Sequence, residues 1–131
     1  MKIQNQPKEY NTVTPYLAIR EAEKLIRLLE FIFDAERHKE MRDKNGVLIH
    51  AEIKIGDSIL MIGDVQDKFE PFPAMLYIYC DEVDEIYRKA LDSNAESIEL
   101  PTDQDYGDRR CAFRDFAGNT WYVATQVHSR S

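Results

Sequence analysis

Two titratable residues of this chain stand two positions apart in an alternating run. His50 and Glu52 fall within Val47 to Ile55, where Val47, Ile49, Ala51 and Ile53 take one side and Leu48, His50, Glu52 and Lys54 the other. Side chains at i and i+2 on a strand share a face, so this imidazole and carboxylate can act as a base and its orienter, or as two metal donors. The competing reading is a solvated face, or one paired with charges across the sheet, and no third ligand is evident beside them. Arg109 has the planar donor fork that recognises a carboxylate or phosphate, and the alternative is an ion pair with Asp108 or Asp115 that holds a turn. His38 stands among Arg37, Lys39 and Glu40, and His128 lies near the end of the chain; both are expected in solvent. The two cysteines, Cys80 and Cys111, are far apart with no Cys-x-x-Cys spacing and no histidine to complete a zinc site, so they read as ordinary reduced thiols. No nucleophile motif, phosphate-cradling glycine loop or dinucleotide fingerprint occurs.

The elements that must position these residues are legible from periodicity. Thr12 to Ile19 is a strand candidate, followed by a helix from Glu21 to Phe33 with Ala22, Leu25, Ile26, Leu29 and Phe33 on one stripe. Glu36 to Arg42 is polar and extended, Asn45-Gly46 signals a hairpin, and Val47 to Ile55 returns before Gly56-Asp57 turns the chain into Ser58 to Ile62. Gly63 to Pro73 reads as a connector. The order then repeats about sixty residues later. Met75 to Cys80 is a strand, Glu82 to Ser93 a helix with Val83, Ile86, Tyr87, Ala90 and Leu91 as its apolar stripe, and Ser97 to Leu100, Cys111 to Arg114 and Thr120 to Thr125 are three further strands. Gly107-Asp108 and Gly118-Asn119 supply the last turns, and an Ala-Glu pair follows each helix, at Ala35-Glu36 and Ala95-Glu96.

At 131 residues and 44% hydrophobic composition the chain suits one domain, residues 1–131, made of two modules (12–63 and 74–126) around a connector (64–73). Its formal charge of −7, spread along the chain, disfavours nucleic acid and anionic membranes. No segment has the length and apolarity of a membrane span, and Met1 to Gln6 has no apolar signal region, so a cytoplasmic location is expected.

Pro15-Tyr16-Leu17, the run Ile49-His50-Ala51-Glu52-Ile53-Lys54-Ile55-Gly56-Asp57, the strand-to-helix entry Leu76 to Asp84, Tyr106-Gly107-Asp108-Arg109, and Asp115-x-x-Gly118-x-x-Trp121 occur in that order. In this order and spacing the chain resembles the vicinal-oxygen-chelate superfamily of glyoxalase I, bleomycin-resistance proteins and extradiol dioxygenases, and within it the PhnB-like branch, over about Thr12 to Gln126. The resemblance implies an α+β fold of two βαβββ modules whose curved mixed sheets enclose a cavity, in a homodimer. It also implies metal ligands on inner strand faces. At those positions this chain has Thr14, Met75 and Tyr122, with Met61 near the remaining one, none a good donor for a catalytic divalent ion. Asp115-Phe116-Ala117-Gly118 replaces the family's Asp-Pro-Phe-Gly, and Asp34 replaces the glycine usual after the first helix.

On that fold Tyr16, Tyr77, Tyr79 and Tyr122 share the parity of the former metal positions and line one concave surface, suited to a flat, partly polar molecule, although tyrosine is also an ordinary sheet residue. Trp121 faces the other way, under a helix. The expected function is a small-molecule-binding protein without the usual metal or any cofactor, its ligand held by Tyr16, His50, Glu52, Met61, Met75, Tyr77, Tyr79, Arg109 and Tyr122, with no catalytic residue assigned. One alternative is a metal-dependent lyase, isomerase or dioxygenase with a relocated divalent site that includes His50 and Glu52. The other is a structural or regulatory dimer whose cavity has filled.

Overall fold

The first strand is too short to stand alone, and a parallel partner completes it. In a computed structural model, which describes residues 1–129, β1 (Tyr16–Ile19) pairs in parallel with β4 (Ser58–Asp64), placing Tyr16 opposite Met61 and Ala18 opposite Gly63. Between them run α1 (Ala22–Phe33), β2 (Glu36–Arg42) and β3 (Leu48–Ile55), and the sheet order is β1-β4-β3-β2. The helix forms where its stripe can be buried: Leu25, Ile26, Leu29 and Ile32 are fully covered, as are Leu17, Ile19, Ala51, Ile53 and Ile62 of the strands. Arg37 of β2 ties the helix to the sheet edge through Glu23 and Glu30 of α1.

The second half repeats the plan with its own sheet. β5 (Met75–Tyr79), α2 (Val83–Asp92), β6 (Glu96–Asp103), β7 (Asp108–Arg114) and β8 (Thr120–Gln126) give the order β5-β8-β7-β6, again with the first and last strands parallel. Cys111, Phe113, Trp121 and Val123 are buried together with Val83 and Ala90 of α2. Asp115, itself buried, accepts the Trp121 indole N–H at 2.8 Å and the Asn119 side-chain amide at 3.0 Å, which locks the β7–β8 turn. The chain divides into two compact units, Met1–Phe72 and Pro73 onward, one βαβββ module in each.

Several boundaries differ from the sequence reading for identifiable reasons. The first strand begins at Tyr16 rather than Thr12, because parallel pairing with β4 starts there, and Thr14 lies outside it, its hydroxyl directed at the Asn11 carbonyl. β4 continues through Gly63 to Asp64, so the connector begins two residues later. β6 runs on through Pro101 to Asp103, which an edge strand with register shifts tolerates. Asp34 takes the left-handed conformation of the missing glycine (φ 55°), and Asn94 does the same after α2 (φ 67°); their short polar side chains tolerate that region. Among the described residues no helix is long and apolar enough to cross a membrane.

Candidate functional site

Strand register decides which side chains meet. In the first unit Tyr16 is opposite Met61 and Met61 is opposite Glu52, while Gly63 is opposite His50, so all five share the sheet face away from α1. There the side chains form a hydrogen-bonded row. The Tyr16 hydroxyl lies 3.4 Å from Nδ1 of His50, and His50 Nε2 lies 3.1 Å from Oε2 of Glu52. The other Glu52 oxygen accepts the hydroxyl of Tyr10, a buried residue of the segment that precedes β1. Burial alone would raise the Glu52 carboxyl, but the bonds from Tyr10 and His50 outweigh it and hold the group below the usual carboxylate range. Bonding to that carboxylate pushes the Tyr10 phenol up to about 12. Lys39 is opposite Glu52 on β2, and Lys54 meets Glu9.

A gap in β4 makes the first contact possible. A Cβ added at Gly63 would lie 2.3 Å from the Tyr16 hydroxyl oxygen, so the tyrosine crosses β4 only because the residue beneath it has no side chain.

The second unit gathers an aromatic and charged group on the sheet face away from α2. Tyr77 is opposite Tyr122, Tyr122 is opposite Ala112, and Tyr79 and Arg110 both flank Ala124. The Tyr77 and Tyr122 rings are nearly parallel (7°) with centroids 6.3 Å apart, and the Arg110 guanidinium carbon lies 5.2 Å from the Tyr122 centroid. Tyr77 and Tyr79 donate their hydroxyls to one oxygen of Asp108, at 2.7 and 2.8 Å, and Asp108 is fully buried. Arg110 forms a two-pronged pair with Glu99 at 2.8 Å on each prong, and also reaches the Tyr106 hydroxyl. Burial, reinforced by the bonds to Tyr106 and Asp108, raises the Tyr77 phenol and keeps it neutral.

Of the sequence-predicted residues, Tyr16, His50, Glu52 and Met61 therefore come together on one face of the first unit. Met75, Tyr77, Tyr79 and Tyr122 come together on one face of the second, with Met75 at the strand entry opposite Thr120. Arg109 does not join them. It points to the helix side, pairing with Asp84 of α2 and with Asp103 rather than with Asp108 or Asp115. Arg110, one position on and of opposite parity, holds the place beside the tyrosines. Tyr10 and Asp108 were also missed as site residues: strand parity from Tyr122 through Ala112 would have found Arg110 and Asp108, whereas nothing local in the sequence marks Tyr10. Trp121 is buried on the helix side as expected, and His38 is exposed, its ring edge-on to Tyr10 at 5.7 Å. Cys80 and Cys111 are free, and burial raises both thiols, Cys111 to about 12.

Thr14, Met61, Met75 and Tyr122 are the residues to which the sequence resemblance assigns metal-ligand positions. Met61 offers a thioether, and Thr14 stands outside the sheet. In the second unit Met75 and Tyr122 offer a thioether and a phenol. Among the described residues no three His, Cys, Asp or Glu side chains converge as a metal site requires. An open cleft of ≈ 400 Å³ at the start of α1, lined by Glu21, Lys24, Arg27, Val47 and Asp64 among others, contains none of the predicted residues.

No protein-family profile matches the chain. An uncharacterized protein of Mycobacterium bovis is 24% identical over 126 residues, covering 88% of this chain and 83% of that protein. Among solved structures, TioX from Micromonospora sp. ML1 superimposes with a TM-score of 0.75 at 18% identity, over 88% of this chain and 98% of TioX. A PhnB protein from Bacillus cereus gives 0.71 at 21% identity (88% and 99%), and lactoylglutathione lyase from Agrobacterium tumefaciens 0.66 at 18% (92% and 96%). These structures are members of the vicinal-oxygen-chelate superfamily, and this chain has their glyoxalase/bleomycin-resistance fold.

Proposed function

We propose that the chain binds a small organic molecule on its Tyr- and Met-bearing sheet faces, by shape and ring stacking, without a metal ion at the superfamily's positions. The observation that carries this reading is the parallel pair Tyr77 and Tyr122 on the second sheet. Tyr77 is 42% exposed, and Tyr79 (53%) and Met75 (70%) extend the same apolar face. Aromatic area left open to water beside a few fixed polar groups is what a pocket for a flat ligand uses. Here the polar groups are the Arg110–Glu99 pair and the phenols anchored on Asp108.

The metal-dependent alternative has less support in the arrangement of the side chains. His50 and Glu52 bond to each other and to Tyr16 and Tyr10, so a relocated ion would have to displace those bonds and still find another donor.

The test is a thermal-shift screen of neutral, cationic and anionic aromatic compounds, with hits measured by calorimetry against Tyr122→Ala and Tyr77→Ala. Loss of one stacking ring should weaken a hit by roughly five-fold, since aromatic pairs contribute about 1 kcal/mol beyond area burial. Hits unaffected by either substitution would move the site elsewhere, and stoichiometric retention of a divalent ion after desalting would favour the enzyme reading.

A further inference from the structure

The row Tyr16–His50–Glu52 has the connectivity of a nucleophile, its base and the group that orients the base. We propose that it is a metal-independent acyl-accepting site, in which Tyr16 attacks a small activated ester or other acyl donor and His50 takes its proton. Three observations on one sheet face converge on this arrangement. The first is the sequence of contacts, 3.4 Å from the phenol oxygen to Nδ1 and 3.1 Å from Nε2 to the carboxylate. A carboxylate that accepts Nε2–H leaves Nδ1 as the acceptor facing the phenol, the tautomer a general base needs. The second is that Glu52 is held from both ends. One oxygen takes the imidazole and the other the hydroxyl of buried Tyr10, so the carboxylate can orient His50 and stabilise the imidazolium that forms. The third is the clearance at Gly63, opposite His50 in the register, without which the phenol could not reach the imidazole.

Exposure fits the roles. Tyr16 is 54% exposed, so an acyl donor can reach its oxygen, whereas the side chains of His50 and Glu52 are 24% and 13% exposed. Tyr79 is as open as Tyr16, yet its hydroxyl donates to the Asp108 carboxylate, a weaker base than imidazole, and Tyr87 shares its hydrogen with the Ser97 hydroxyl. They serve as internal controls. In the acylation step the Tyr16 oxygen bonds to the carbonyl carbon while the phenolic proton moves to Nδ1. The carbon–oxygen bond to the leaving group then breaks, and the imidazolium returns the proton to solvent or to the departing oxygen. In deacylation His50 deprotonates a water that attacks the tyrosyl ester, and the proton restores the phenol. No oxidant, reductant or further reactant is required. The charged and titratable groups around His50 are Glu52 on its own strand, Lys39 and His38 on β2, Tyr16 on β1, and Tyr10 with the Lys54–Glu9 pair at the preceding segment.

The experiment is the reaction of the purified chain with 4-nitrophenyl acetate, followed by nitrophenolate release and by peptide mass spectrometry. The expected result is a stoichiometric burst with the acetyl group on Tyr16, absent in Tyr16→Phe and slowed roughly 100-fold in His50→Gln, the scale of general-base assistance. Glu52→Gln should slow the burst and change its pH dependence, because Glu52 positions the base and does not itself touch the substrate. Gly63→Ala asks most of a flexible side-chain end, so it should keep the fold, verified by circular dichroism, while displacing the phenol and removing the burst. Acetylation spread over lysines, label on Tyr79 or Tyr87 at the same rate as Tyr16, or a burst that survives in Gly63→Ala would each overturn the proposal. None of these outcomes bears on stacking at Tyr77 and Tyr122 in the other unit, so the ligand-binding reading stands or falls separately.

Discussion

Single carboxylates in this chain hold more than one donor each. Asp115 is the most constrained: it accepts from the Trp121 indole, from both the backbone and side-chain N–H of Asn119, and from the backbone N–H of Ala117. Removing it would leave the buried donors of Asn119 and Trp121 without an acceptor, and an unmet buried donor costs about 1–3 kcal/mol. Asp115→Ala is therefore expected to lower stability by about 3–5 kcal/mol in urea unfolding, and Asp115→Asn, which keeps one acceptor, by clearly less. Equal losses would mean that the side chain's size and not its acceptor capacity matters. The same residue explains one failure of the sequence reading. Asp115 was a candidate partner for Arg109, but its oxygens are committed to the turn, and strand parity aims Arg109 at α2, where Asp84 lies 25 residues earlier in the chain. Sequence proximity named the wrong aspartate because a side chain's partners follow the face it occupies. The His50–Glu52 pair was legible for the same reason, since i and i+2 on one strand share a face without reference to anything distant. Tyr10 reaches Glu52 across 42 residues, and no local pattern announces it.

Among the elements, order and type were readable and ends were not. All eight strands and both helices fall where alternation and apolar stripes placed them, while the start of β1, the extension of β4 and the length of β6 depend on pairing partners from other parts of the chain. The start of α1 is similar: Glu21 has φ 60° and provides no side-chain cap, and the first helical N–H, that of Ala22, is taken by Asp64 at the end of β4. Turns show how two glycines that look alike in sequence differ in structure. Gly46 in the β2–β3 hairpin has φ +83° with nothing within 4 Å of an added Cβ, so Gly46→Ala should cost only the backbone penalty, about 1 kcal/mol. Gly107 has φ +100°, and its added Cβ would meet the His128 carbonyl oxygen at 2.6 Å, where the chain leaving β8 returns to bond with Gly107. Gly107→Ala is expected to cost about 3 kcal/mol, backbone strain and a rigid clash together. Equal urea midpoints for the two variants would show that the His128 segment does not hold Gly107 in solution.

For the molecule as a whole, duplication and charge have separate consequences. Both units pair their first strand in parallel with their last, and both leave a helix through a left-handed Asp or Asn followed by Ala-Glu, yet their outer sheet faces carry different chemistry. The first has an imidazole–carboxylate row and the second a tyrosine array around a buried aspartate. Repetition of the βαβββ plan was legible because it rests on periodicity, whereas this divergence resides in a few residues on the sheet faces away from the helices that periodicity treats alike. The charge of −7 gives a whole-molecule prediction. Glu40, Glu52, Glu85 and Glu99 all titrate below the usual carboxylate range: arginine hydrogen bonds lower Glu40, Glu85 and Glu99, and for Glu52 the bonds from Tyr10 and His50 overcome burial. Because their folded values lie below the unfolded value of about 4.3, the unfolded chain binds more protons in acid. Their contribution is thus complete above the unfolded value and is lost as pH falls through the folded values. Tyr10 and Tyr77 act in the opposite direction, since raised phenols stabilise the fold below about pH 10 and cease to do so as pH rises through the folded value, about 12 for Tyr10. Urea midpoints should therefore be flat from about pH 6 to 8 and fall on both sides, the alkaline fall beginning where the unfolded chain ionises the Cys80 and Cys111 thiols that burial raises in the fold. Solubility should be lowest near the sequence pI of ≈ 4.9, so the acid limb needs dilute protein. Glu99→Gln isolates one contribution. It should lower the midpoint at neutral pH by leaving half-buried Arg110 without its paired carboxylate, and it should flatten the acid limb. An acid limb as steep in Glu99→Gln as in the parent chain would place the proton uptake on other carboxylates and remove the Arg110 pair from the account of acid stability.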